Sequence, residues 1–124
     1  MTARPSALCV CSTPEECRPL SSVLVECELE PVCSFDLGEA AESLTGGSFR
    51  VVVCEEPLSR GGYSDLLHAM RNAGMQIPLI VSSRVMDWPD YLKAVGQGVF
   101  DVVARPYRHI ELKWVIGNAL SRSH

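Results

Sequence analysis

This chain lacks several things, and each lack removes a class of function. There is no excess of positive charge: 11 Lys and Arg stand against 15 Asp and Glu, a formal net charge of −4. A nucleic-acid-binding surface normally needs a basic face, so binding nucleic acid is excluded as the main activity. No apolar run approaches the ~18 residues that span a bilayer, so no membrane partner is expected. The opening MTARPSALCVCS carries one Arg and too short an apolar segment for an export signal, which makes the cytoplasm the expected location. There is no C-x2-C pair, and the histidines, His68, His109 and His124, are scattered, so a zinc site has little support. No linker, repeat or low-complexity stretch breaks the chain, and residues 1–124 are expected to form one domain.

Six cysteines are present: Cys9, Cys11, Cys17, Cys27, Cys33 and Cys54. In a reducing compartment disulfides are not expected. Cys9, Cys11, Cys33 and Cys54 lie inside apolar runs, where a free cysteine acts as a small buried hydrophobe.

What the chain does have is a regular alternation. At 47% hydrophobic residues there is material for one core. Ala7–Cys11 is a short apolar run, closed by Ser12-Thr13-Pro14-Glu15-Glu16, a helix start with Pro in the first turn and carboxylates at the positive dipole end. Leu20, Val23 and Leu24 follow at helical spacing. Val32–Phe35 reads as a second strand, and Asp36 caps a helix that ends at Gly46-Gly47. Val51-Val52-Val53-Cys54 is a strand buried on both faces, halted at Glu55-Glu56 and a Pro-Leu-Ser-Arg-Gly-Gly turn. A helix marked by Tyr63, Leu66, Leu67 and Met70 comes next, then a strand Ile77–Val81 closing in Ser82-Ser83. Trp88, Tyr91, Leu92 and Val95 mark a fourth helix, Val99–Ala104 a fifth strand, and Ile110, Leu112, Trp114, Val115 and Leu120 a last helix. Strands alternating with helices over short connections specify an α/β fold, a parallel sheet covered on both faces. Right-handed crossovers favour a flavodoxin-like three-layer sandwich of strand order 2-1-3-4-5 with five helices.

In that order the carboxyl ends of strands one, three, four and five meet at one rim, where such sheets bind ligands. They bring Cys11-Ser12, Glu55-Glu56, Ser82-Ser83 and Arg105-Pro106 together. With these residues in place, the chain resembles the receiver (CheY-like) domain of two-component response regulators over its whole length. VVVCEEPLSRGGYSDLL (51–67), PLIVSS (78–83) and FDVVARP (100–106) carry most of the likeness, the last matching the family's cis Lys-Pro loop.

The resemblance implies a signalling module rather than an enzyme, phosphorylated on an Asp after strand three with Mg²⁺ held by an acidic pair after strand one. At those positions this chain departs. Glu55 falls at or next to the phosphoacceptor, Cys11 and Ser12 stand at the acidic pair, and Arg105 replaces the Lys. Ser82 or Ser83 matches the switch hydroxyl, and Val102 takes the aromatic switch position. Mg²⁺ takes hard oxygen ligands, so a thiol and a neutral hydroxyl imply loss of the metal and of phosphoryl transfer. A pseudo-receiver acting by protein–protein contact is therefore expected, without cofactor.

Two alternatives stay open: a receiver still phosphorylated in an altered pocket, and a redox or small-molecule sensor using the same rim. Glu55 with Arg105 is either a stand-in for the phosphorylated state or an ordinary ion pair. Cys11 and Cys54 are either a redox pair or inert thiols. The likeness also implies a protein partner, a histidine kinase or a downstream regulator, and a homodimer through the face made by the fourth helix, the fifth strand and the last helix. Trp88 and Tyr91 are candidate anchors there, whereas Trp114 is expected in the core.

Overall fold

The computed structural model describes residues 4–58, 60–84 and 87–121; Ser59 of the third loop and His124 lie outside them. Five strands and five helices alternate: β1 (Ser6–Val10), α1 (Pro14–Glu26), β2 (Glu30–Ser34), α2 (Leu37–Gly46), β3 (Phe49–Glu56), α3 (Tyr63–Asn72), β4 (Leu79–Ser83), α4 (Trp88–Gln97), β5 (Asp101–Ala104) and α5 (His109–Ser121). All strand pairs are parallel, in the order β2-β1-β3-β4-β5. The expected topology is the observed one.

Local chemistry explains the boundaries. Thr13 caps α1 by accepting from the Glu16 N–H at 3.3 Å, ahead of Pro14. Asp36 caps α2 through the Glu39 N–H at 2.8 Å, and Asp87 caps α4 through the Asp90 N–H at 3.0 Å. Gly98 ends α4 in the left-handed region at φ 113°, where a Cβ would also meet the Arg71 guanidinium. Glu28, just beyond α1, holds φ 62° without glycine's freedom. Pro19 sits inside α1, where it removes one intrahelical hydrogen bond.

The sheet is buried on both faces because its strands are apolar throughout. Ala7, Cys9, Val51, Val53, Ile80 and Val103 pack under α1 and α5, which contribute Leu20, Val23, Leu24, Leu112 and Ile116. Leu8, Val10, Val52, Cys54, Leu79 and Val81 face α2, α3 and α4, through Ala40, Leu44, Leu66, Met70 and Ala94. With a side-chain period of 2 along each strand, Val53 and Glu55 share the α1/α5 face, and Cys54 and Glu56 the other.

Three expectations are corrected. β3 runs to Glu56, so both glutamates belong to the strand and not to the loop after it. Trp114 is 68% exposed rather than core, because α5 turns Leu112, Val115, Ile116 and Ala119 inward. Cys17 and Cys33 are joined by a disulfide. α1 lies across β2, which brings together two residues 16 apart in sequence, a proximity that no local spacing reveals.

Candidate functional site

The rim is built from the ends of β1, β3, β4 and β5. Register places Glu55 opposite Ser82 and Glu56 opposite Ser83. Glu55 is therefore carried on the α1/α5 side of the sheet and is 2% exposed. Its Oε2 lies 3.9 Å from Arg105 Nη1, and Cys11 Sγ donates to its Oε1 at 3.8 Å. The pair is a single loose contact and not the two-pronged one that a guanidinium can make. Arg105 is held elsewhere as well: its Nη2 donates to the Glu56 carbonyl, and its backbone N–H donates to the Ser83 carbonyl at 2.9 Å.

Burial pushes the Glu55 carboxyl above the usual range, and Arg105 opposes that most strongly, followed by the hydroxyl of Ser82. Ser82 Oγ is buried, lies close enough to favour the charged carboxylate, and makes no hydrogen bond of good geometry among the described residues. Of the two candidate switch hydroxyls, Ser82 is thus the one on the Glu55 side.

Glu56 has a different task. Its Oε1 accepts from the Tyr63 N–H at 2.5 Å, placing a carboxylate on the positive end of α3. Gly62 permits this approach, since a Cβ there would come within 2.9 Å of the same oxygen. Ser12 Oγ donates to the Pro57 carbonyl at 3.0 Å, tying the end of β1 to the third loop. Arg105-Pro106 is a cis peptide, as the loop's likeness implied, and so is Glu56-Pro57.

A cavity of about 530 Å³ opens beside this group, lined by Glu15, Glu16, Pro19, Glu55, Arg84, Arg105, Pro106 and Tyr107. Sequence reasoning missed Glu15, Glu16, Arg84 and Tyr107, because α1 and the loops after β4 and β5 deliver them from outside the strand ends. Among the described residues the rim contains no group of three carboxylate, thiol or imidazole ligands close enough to share a metal ion. Glu55, which faces the Arg105 guanidinium, shares the cavity with the carboxylates of Glu15 and Glu16.

Cys11 and Cys54 are fully buried, and burial, reinforced by Glu55 at Cys11 and by Glu56 at Cys54, pushes both well above the ordinary thiol range. Cys9, below them, is pushed up to about 12 by the same burial. A low-pKa exposed thiol beside Arg105, which the redox alternative needs, is not what these two positions provide.

No protein-family model and no curated protein matches the chain. Solved structures do. The receiver domain of the Francisella response regulator 1452 superposes with a TM-score of 0.87 at 18% identity, covering 97% of this chain and 99% of its own. The signal receiver domain of a putative Luxo repressor protein from Vibrio parahaemolyticus gives 0.90 at 13% identity, over 97% and 92%. That of an HD domain-containing protein from Pseudomonas fluorescens Pf-5 gives 0.86 at 20%, over 98% of each chain.

The fold is that of a receiver domain.

On this receiver fold the α4 and α5 surfaces carry large apolar side chains. Trp88 is 68% exposed and stacks on the half-buried Tyr91, with ring centroids 5.3 Å apart and planes 13° apart. Leu92, Val95 and Ile110 are exposed as well. Val102 is half-buried at the position where an aromatic was missing from the sequence. Among the described residues no helix is long and apolar enough to cross a membrane.

Proposed function

We propose that this receiver fold serves as a signalling module that works without taking up a phosphoryl group. The observation that carries the reading is the occupation of Glu55: one carboxylate oxygen faces Arg105 at 3.9 Å and the other accepts from Cys11, in a side chain that is 2% exposed. A phosphoacceptor must present a free oxygen to an incoming phosphorus, with a divalent cation balancing the charge that develops. Here the counter-charge is already supplied from within, and Cys11 and Ser12 offer no carboxylate for Mg²⁺. The Glu55–Arg105 pair takes the place of a phosphoryl group and its lysine, and holds the rim in one arrangement.

Output in this reading passes by protein–protein contact. The exposed Trp88 and its stacked neighbour Tyr91 support it, since aromatic side chains are enriched among the residues that anchor protein interfaces. The solved structures with the same fold are themselves named as response-regulator or signal receiver domains, which supports placing the chain in that class of signalling.

The test is addition of Mg²⁺ with beryllofluoride, a mimic of an aspartyl phosphate, followed through tryptophan fluorescence and thermal unfolding. No saturable change is expected in either. A Mg²⁺-dependent, saturable response would replace this reading with that of a phosphorylated receiver whose pocket is altered.

A further inference from the structure

Away from the rim, the described residues bring three thiol-bearing side chains together. The sulfurs of Cys9, Cys17 and Cys33 all lie within 4.8 Å of one another. Cys9 and Cys33 are opposed across the β1–β2 pair, and both belong to the face roofed by α1. Cys17 reaches them from the N-terminal half of α1. Ser21, one turn further along, holds its Oγ 3.7 Å from Cys17 Sγ and 3.6 Å from Cys33 Sγ. The disulfide between Cys17 and Cys33 occupies two of the three sulfurs.

We propose that, once that disulfide is reduced, Cys9, Cys17 and Cys33 form a three-thiolate site for the soft monovalent cation Cu(I), and that oxidation of the pair closes it. The geometry suits the ion. A metal–sulfur distance of about 2.3 Å places three sulfurs about 4 Å apart around a common centre, a spacing that Cys17 and Cys33 reach by parting once their bond is reduced, and that lies within the 4.8 Å limit on the separations among the three. The donor set is wholly sulfur, since no carboxylate or imidazole among the described residues joins the cluster. Soft thiolate ligands select Cu(I), whereas zinc seeks a fourth ligand in a closed site. Entry is from the sheet edge: β2 is the outermost strand, and Cys33 and Ser21 are half-buried while Cys9 and Cys17 are enclosed.

The chemistry balances in two steps. A dithiol reductant transfers two electrons and two protons to the Cys17–Cys33 bond and becomes a disulfide, leaving two thiols. Cu(I) then displaces the thiol protons of the three cysteines to solvent and keeps its oxidation state. Reoxidation by a disulfide oxidant, which takes the pair's two electrons and two protons from solvent and becomes two thiols, re-forms the Cys17–Cys33 bond, returns a proton to Cys9 and releases Cu(I) unchanged in oxidation state.

The experiment uses the full chain, reduced anaerobically with a phosphine so that no thiol competes, and titrated with Cu(I) against a chromogenic Cu(I) chelator. One equivalent is expected to bind, with an X-ray absorption spectrum showing three sulfurs at about 2.3 Å. Cys9→Ser and Cys33→Ser are each expected to weaken binding by more than about a hundredfold, beyond the 10–100-fold that loss of a supporting contact produces. Cys27→Ser and Cys54→Ser leave it unchanged. A two-sulfur spectrum, full affinity in Cys33→Ser, or equal affinity in the oxidised chain overturns the proposal. Should a variant fail to fold, the spectrum of the unaltered reduced chain decides the matter alone.

Discussion

Replacing Arg105 with methionine separates the two readings of the Glu55–Arg105 pair. The guanidinium lies 3.9 Å from a carboxylate in a site where the side chains are 11% and 2% exposed. At that separation the gross attraction is about 4 kcal/mol for an effective dielectric of ~20, an upper limit on what the pair contributes. Arg105→Met also removes the bond to the Glu56 carbonyl, a loss of about 1 kcal/mol that does not depend on pH.

The pair itself does depend on pH. Burial already raises the Glu55 pKa against the opposing pull of Arg105, so removing Arg105 raises it further. A carboxyl raised in the folded state favours folding while it is protonated, and that contribution is lost as pH climbs through the folded pKa. Arg105→Met is therefore expected to cost more at the alkaline than at the acid of two pH values, about 1 kcal/mol where Glu55 is protonated and about 3 kcal/mol where a buried charge is left unpaired. Glu55→Gln removes the titrating group, so adding Arg105→Met to it costs about 1 kcal/mol at both values. Urea unfolding of the four proteins at both pH values closes the cycle. A coupling below about 0.5 kcal/mol at each pH would refute the reasoning and leave an ordinary ion pair.

Three further outcomes follow from the fold. Glu28→Gly, relieving a left-handed residue just past α1, is expected to raise stability by about 0.5–1 kcal/mol in urea unfolding; a loss would mean that the Glu28 side chain makes a contact of its own. Reduction of the Cys17–Cys33 bond frees a loop of 16 residues and is expected to cost about 3 kcal/mol, read from urea curves with and without a phosphine, while leaving the chain folded. Leu24→Ala, at a fully buried position on the inner face of α1, is expected to cost about 2–5 kcal/mol, whereas Trp114→Ser stays within ~0.5 kcal/mol; thermal melts of both variants check the contrast.

The architecture was legible in the residues because its signals are local. Continuous apolar strands, Thr13, Asp36 and Asp87 at helix starts, and short connections leave few arrangements for a right-handed parallel sheet. The set of rim residues was legible for the same reason, since Cys11, Glu55, Ser82 and Arg105 each lie at the end of a strand whose place in the order was known. What those residues do to one another was not. Two adjacent glutamates read alike in sequence, yet the strand's alternation sends Glu55 toward Arg105 and Glu56 onto the end of α3. Trp114 reads like any apolar residue of an amphipathic helix, but α5 buries the neighbouring stripe and leaves the indole outside.

The cysteines mark the boundary most sharply. Composition and spacing offered no motif joining Cys9, Cys17 and Cys33, because their proximity arises from a strand register and a helix crossing rather than from sequence distance. Sequence by itself determined which faces are apolar and where the chain turns, since hydrophobic burial and capping act over a few residues. Tertiary structure alone decided which charges and thiols meet, since those contacts depend on how separate elements are packed together.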